Sequence, residues 1–216
     1  MFGFKVEVWG DYACFSRPEL KVERVSYDII TPSAARGILE AVFWKPAIRY
    51  VIDEIAVCAP IKFDNIRRNE ISSKVSSAGT PIVASEDRAQ RAALVLRDVR
   101  YVITAHFKIT DRAGADDNEG KFTDIIRRRL ENGQHFHQPY LGTREFAANV
   151  RLVTRDEPPT PPIVESRSLG LMFYDMDYIY ETNKQGEQAI KEFKPSYFIA
   201  EMVNGIVDLR SVEVLR

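Results

Sequence analysis

Hydrophobic and polar positions alternate at the start of the chain. In FKVEVWG, Phe4, Val6 and Val8 share one face and Lys5 and Glu7 the other, the pattern of a half-buried strand. TPSAARGILEAVFW then changes period. Thr31 supplies an N-cap acceptor and Pro32 a preset φ at the first helical position, and Ile38, Leu39 and Val42 recur at helical spacing. The helix should stop near Lys45, because Pro46 disfavours helical geometry in the residue before it. IRYVIDEIAVCAP is rich in β-branched residues and predicts a second strand. A polar segment from about Ile66 to Arg91 reads as a long loop or flexible hairpin, and AALVLRDVRYVITAHFKIT as a third strand or strand pair. DDNEGKFTDIIRRRLENG predicts a second helix, capped by Asp117 or Asn118 and ended by Gly133. REFAANVRLV predicts a fourth strand.

The resulting order, β-α-β-β-α-β, is that of an α+β, ferredoxin-like split unit with two helices on one face of an antiparallel sheet. We assign it residues 1–155. RDEPPTPP then forms a stiff proline linker. LGLMFYDMDYIYE and SYFIAEMVNGIVDL predict a small C-terminal antiparallel β-sheet appendage over 161–216, with Asn204-Gly205 as a hairpin turn.

Composition changes this picture little. The hydrophobic fraction of 45% supports a packed core, and the formal net charge of −1 gives no global attraction to nucleic acid, though a local patch would suffice. Cys14 and Cys58 match no zinc spacing and read as small buried hydrophobes. No apolar run approaches the ~20 residues of a membrane helix, and the N-terminus lacks a secretory core, so we expect a soluble cytoplasmic protein.

Candidate chemistry gathers after the second helix. GQHFHQPYLGTREF holds His135 and His137, two of the three histidines, at i and i+2. On an extended segment both imidazoles face one ligand. Metal binding, a plain surface turn and acid–base work near neutral pH are all open, but no HExxH or cysteine cluster offers a third metal donor. Lys121 opposes the dipole at the start of the second helix, which suits a solvated lysine or a phosphate site. Phe122, Ile125, Ile126 and Leu130 form that helix's buried face. Arg127 and Arg128 should be solvated, while Arg129, near the apolar arc, needs a buried partner or a phosphate. The basic arm carries Arg67, Arg68, Lys74, Arg88 and Arg91, and Arg36 lies on the first helix. Arg144 faces the same region, and Glu145 should pair with an arginine. Tyr12, Phe15, Tyr27 and Tyr140 are available for base stacking or for ordinary packing.

Several of these stretches coincide. WGDYACFSRPE, GILEAVFWKP, GKFTDIIRRRLENGQHFHQPYLGTREF and LGLMFYDMDY together resemble the crRNA-processing endoribonucleases of the type I-C (Dvulg) CRISPR system, in the repeat-associated mysterious protein superfamily. The resemblance covers nearly the whole chain. It implies a ferredoxin-like core, binding of the CRISPR repeat hairpin, and metal-free cleavage at the hairpin base to give a 2′,3′-cyclic phosphate. It also implies retention of the 5′ handle among the other type I-C effector-complex subunits, and no cofactor. In the family a tyrosine before WKP and an adjacent lysine and histidine resemble a catalytic trio. Here Lys121 matches the lysine, but Phe43 and Phe122 stand at the tyrosine and histidine positions, and phenylalanine moves no proton. Either the acid–base work has passed to His137, His135 or Tyr140, or the chain only grips the processed handle. A non-specific binder or nuclease of double-stranded DNA is a third class.

Overall fold

The computed structural model describes residues 3–20, 23–74, 81–182 and 188–216. Its described elements run β1 (Gly3–Ala13), β2 (Arg24–Val25), α1 (Pro32–Val42), β3 (Ile48–Val57), β4 (Phe63–Ile71), β5 (Arg88–Ile109), α2 (Glu119–Glu131), β6 (Asn149–Leu152), β7 (Arg167–Thr182), β8 (Gln188–Met202) and β9 (Ile206–Asp208). The protein is α+β, a mostly antiparallel sheet with two helices. The main sheet runs β6-β1-β5-β3-β9, with β2 and β4 also paired to β5. β1 leads through β2 and α1 to β3, yet β5 lies between β1 and β3 and antiparallel to both. Likewise α2 leads from β5 to β6, with β1 between them. Among the described residues no helix is long and apolar enough to cross a membrane.

Period-2 burial builds the sheet side of the core. Val6 lies opposite Ile103 and Val8 opposite Tyr101, all of them buried. Ile38 and Leu39 of α1 and Phe122, Ile126 and Leu130 of α2 close over them in one continuous cluster. Each fully buried aliphatic or aromatic side chain of this kind contributes about 1.5–3 kcal/mol. The caps are as expected: Thr31 accepts from the Ala34 amide, and Asn118, rather than Asp117, accepts from the Lys121 amide. Gly133, at φ 61°, ends α2.

Other expectations are corrected. α1 stops at Val42, three residues before Lys45, with Phe43 already extended. Three groups from other elements take its terminal carbonyls. The Phe136 amide donates to Ala41 O at 2.8 Å, Arg129 to Val42 O at 2.6 Å and the Tyr50 hydroxyl to Phe43 O at 2.8 Å. The basic segment from Ile66 to Arg91, read as a long loop or flexible hairpin, forms a hairpin in its described part: 66–71 of β4 pair antiparallel with 88–93 of β5. β4 pairs with the first half of β5, whose second half pairs with β1 and β3. The fourth strand, β6, spans only Asn149–Leu152, because Pro139–Phe146 is a turn packed on β1. In that turn Cys14 N donates to Leu141 O, Leu141 N donates to Phe146 O, and Leu141 is fully buried. Of residues 161–216, read as a small sheet of their own, β7 and β8 form a two-stranded ribbon, while β9 joins the main sheet beside β3. Met172, Phe198, Ala200 and Met202 of the ribbon belong to the common core. Asn204 and Gly205 both take positive φ, as a tight hairpin turn requires.

Alternation fails at one informative place. Glu7, expected to face solvent, is completely buried. Arg100 donates to Oε1 at 2.9 Å, Arg151 Nε to Oε2 at 2.7 Å, and the Thr160 amide to Oε1 at 3.3 Å. The proline linker therefore crosses the sheet face opposite the helices and is stitched to it through one carboxylate. Burial alone would raise the Glu7 carboxyl, but hydrogen bonds from Thr160, Arg100 and Arg151 outweigh it and hold the group at about 2, below its ordinary 4.5.

A folded-state value below the unfolded one means that Glu7 stabilises the protein fully above pH ~4.5 and loses that contribution as pH falls toward about 2. Glu7→Gln should cost about 1–3 kcal/mol in urea unfolding near neutral pH, since it takes the counter-charge from Arg100 and leaves Arg151 with Glu157 alone, and should flatten the acid limb of the stability curve. Gly142 sits at φ 86°, and a Cβ there would lie 2.0 Å from Cys14 O. Gly142→Ala should destabilise by more than about 2 kcal/mol in the same assay.

Candidate functional site

The end of α1 organises the region. From Val42 the chain leaves the helix with Phe43 extended and passes through Trp44 and Lys45 beside α2, in the opposite direction. Val42 is bonded to Arg129, near the C-terminal end of α2, whereas Lys45 reaches Asp117, just before the N-terminal end, at 3.9 Å. Between them the Phe43 ring packs on Phe122 at 6.1 Å, and the Arg129 guanidinium lies 5.1 Å above Phe43. Both phenylalanines are core residues, 7% and 0% exposed, so the two positions where the resemblance implied a tyrosine and a histidine serve as packing. Phe122 in turn meets Phe107 edge-on at 6.2 Å.

Lys121 stands at the N-terminal end of α2. Its Nζ donates to Asp117 at 3.0 Å and to Asp116 O at 3.4 Å, and lies 6.0 Å from the Phe122 ring centre, with Lys45 Nζ on the same ring at 5.8 Å. Two lysines thus share one carboxylate, and the hydrogen bond from Lys121 is the leading cause that holds Asp117 below its ordinary value. Asp116 and Glu119 of the same segment add further negative charge beside the two lysines, and the Asn118 side chain caps the Lys121 amide.

The histidine turn lies beyond the other end of the helix. Gln134 N donates to Arg129 O, and Phe136 N to Ala41 O. His135, Phe136 and His137 are all exposed. His135 shares with Arg129 a cleft of about 230 Å³ that Gln138 and Asn149 also line. His137 stacks on Tyr140, with centroids 6.4 Å apart and planes at 25°, and meets Phe136 edge-on at 6.1 Å. His137 and Tyr140 are therefore in contact, whereas His135 shares its cleft with Arg129, and the chain bends at Phe136 and His137 instead of running extended with both imidazoles toward one ligand. Lys121 lies apart from them: eight residues of helix separate it from Arg129, about 12 Å at a rise of ~1.5 Å per residue.

The arginines divide. Arg36 is tied down between Glu40 at 2.7 Å and Asp175 at 2.6 Å, joining α1 to β7. Arg68 pairs with Glu145, the arginine partner expected for that residue, and lies over the Phe146 ring at 5.3 Å. Arg91 is 3.6 Å from Glu70, which also holds Arg24. Arg67, Lys74, Arg88, Arg127, Arg128 and Arg144 are exposed. Among the aromatic residues considered for stacking, Phe15 and Tyr27 are core, 3% and 2% exposed. The large exposed rings of the region are instead Trp44, 57% exposed, and Phe136, 82% exposed. Both were missed because a hydrophobic residue after a helix reads as core, and the signal that remained was their place beside Lys45 and between two histidines. Among the described residues no group of three or more His, Cys, Asp or Glu side chains comes together as a metal-binding cluster.

Comparison with known proteins agrees with this architecture. The chain is 46% identical over 221 positions to a protein of Mannheimia succiniciproducens named CRISPR pre-crRNA endoribonuclease Cas5d, covering 95% of this chain and 93% of that one. A Thermus thermophilus protein of the same name is 42% identical over 187 positions, 85% of this chain and 77% of that one. A solved structure titled as a CRISPR-associated protein superposes with a TM-score of 0.69 at 24% identity, over 97% of this chain and 92% of that one, a likeness of fold. The Cas5d family model, described as CRISPR-associated protein (Cas_Cas5), matches residues 3–210, and the chain belongs to that family.

Proposed function

We propose that this protein is an endoribonuclease that binds the CRISPR repeat hairpin, cuts precursor crRNA at the hairpin base and keeps the 5′ handle as a subunit of the type I-C surveillance complex. The observation that carries the reading is 46% identity, over 95% of the chain, to a protein named for that activity. We read the core, residues 1–155, as ferredoxin-like. The order β6-β1-β5-β3, with each helix joining two parallel strands that flank an antiparallel one, supports it. Residues 161–216 are an addition that shares this core.

The chemistry needs no metal. One imidazole takes the proton of the 2′-hydroxyl, whose oxygen attacks the adjacent phosphorus in line. A second donor protonates the departing 5′ oxygen, and the phosphorus is left as a 2′,3′-cyclic phosphate. His137 and His135 are the proton carriers, with Tyr140 as the neighbouring donor, and Arg129 meets the charge that builds on the phosphorane. The separation along α2 supports a different role for Lys121. With Lys45 it grips a phosphate a few nucleotides from the cut. Of the basic residues, Arg67, Lys74, Arg88, Arg127, Arg128 and Arg144 are free to follow the RNA backbone, whereas Arg36, Arg68 and Arg91 chiefly hold elements together.

The test is single-turnover cleavage of the cognate repeat RNA in EDTA. Cleavage should persist without metal and stop when the 2′-hydroxyl at one nucleotide is replaced by hydrogen. His137→Ala or His135→Ala should slow the step at saturating protein by ~10²–10⁴-fold. Lys121→Ala should weaken binding and leave the saturated rate nearly unchanged. A requirement for added metal, or an unaltered rate in both histidine variants, overturns the mechanism. Intact RNA bound tightly supports a handle-gripping subunit instead, and equal affinity for unrelated duplex DNA at physiological salt supports a non-specific binder.

A further inference from the structure

The strap of residues 43–45 leads from the histidine turn toward the lysine corner, and its middle residue points outward. Trp44 is 57% exposed between Phe43, which is 7% exposed, and Lys45, whose ammonium is 3.9 Å from Asp117. Phe136 is 82% exposed although its own amide is fixed to Ala41 O at 2.8 Å. Backbone anchoring and side-chain exposure coincide: the chain spends a hydrogen bond on holding this residue in place and buries none of its ring. Burying either ring would stabilise the fold by about 1.5–3 kcal/mol, so two uncovered rings beside the same helix end are a feature to explain. Cations stand at both ends of the strap, Lys45 and Lys121 at one and Arg129 at the other.

We infer that Trp44 and Phe136 are stacking platforms for unpaired nucleobases of the RNA strand that spans the strap. The inference rests on the reading of this chain as a binder of repeat RNA and adds a subsite to it. The lysine corner and the histidine turn are too far apart for one phosphate and suit a short single-stranded stretch. Such a stretch has unstacked bases, and every base offers a π face that an exposed ring can cover. Phe136 meets His137 edge-on beside the stack of His137 on Tyr140, so a base seated on its open face would hold the strand next to the His137 imidazole. Recognition of this kind tolerates sequence change and selects for unpaired nucleotides at the base of the hairpin.

The experiment compares two RNAs, the repeat hairpin with its single-stranded flanks and the same hairpin trimmed blunt. Trp9 is the second tryptophan, covered by the Arg100 guanidinium at 5.1 Å, so a Trp9→Phe background leaves Trp44 as sole reporter. Flanked RNA should quench its fluorescence and blunt RNA should not. Trp44→Ala and Phe136→Ala should each weaken binding of flanked RNA by about 5- to 100-fold and leave blunt-hairpin binding within about twofold. Trp44→Phe should restore most of the loss. Because both side chains are exposed, unchanged thermal unfolding separates lost contacts from lost structure. Equal binding of flanked RNA by wild type and both alanine variants overturns the platform while leaving RNA processing intact, as expected if a protein subunit covers these rings. Failure of the unaltered protein to bind either RNA overturns both.

Discussion

Ala41 and Val42 end α1 and Phe43 follows it, their carbonyls aimed at three different elements, and the rest of the site depends on how those carbonyls are met. Free carbonyls at a helix C-terminus must find donors. Here the turn after α2 supplies the Phe136 amide, α2 supplies Arg129 and β3 supplies the Tyr50 hydroxyl. One helix end thereby fixes the direction of the following strap, the approach of α2 and the position of the histidine turn.

That arrangement also explains how the residues at the family's tyrosine and histidine positions can be phenylalanines without disorder. Phe43, Phe122 and Phe107 form an aromatic column between α1, α2 and the sheet, with Arg129 and the two lysines resting on its rings. The column supports polar groups at both ends and takes part in no proton transfer. On the proposed reading, the chemistry that the resemblance assigns to a compact trio is divided in this chain between a lysine corner that binds and a histidine turn that reacts. The buried Glu7 cluster plays a comparable part on the opposite face, where one carboxylate fastens the proline linker across the sheet.

Local signals in the sequence were reliable where a single residue type satisfies a single backbone need. Thr31, Asn118, Gly133 and the Asn204-Gly205 turn stand where their chemistry puts them. Long-range effects were not legible. The end of α1 depends on Arg129 and Tyr50, remote in sequence, and Glu7 reads as solvent-facing until Arg100, Arg151 and Thr160 arrive around it. β9 is too short for its pairing with β3 to be read from period alone. The same holds for the site. Lys121 and the histidines are close in sequence, yet a helix of known rise stands between them. Trp44 and Phe136 look like core residues until the fold leaves them uncovered.

The central claim is that the RNA strand lies along Phe43–Lys45, between the lysine corner and the histidine turn. Its most direct test is photo-crosslinking of 4-thiouridine-substituted repeat RNA, with the adducts mapped by mass spectrometry. The account requires adducts in the peptides carrying Trp44 and His135 to Tyr140. Adducts confined to β4, or to the face that holds Glu7, would contradict it.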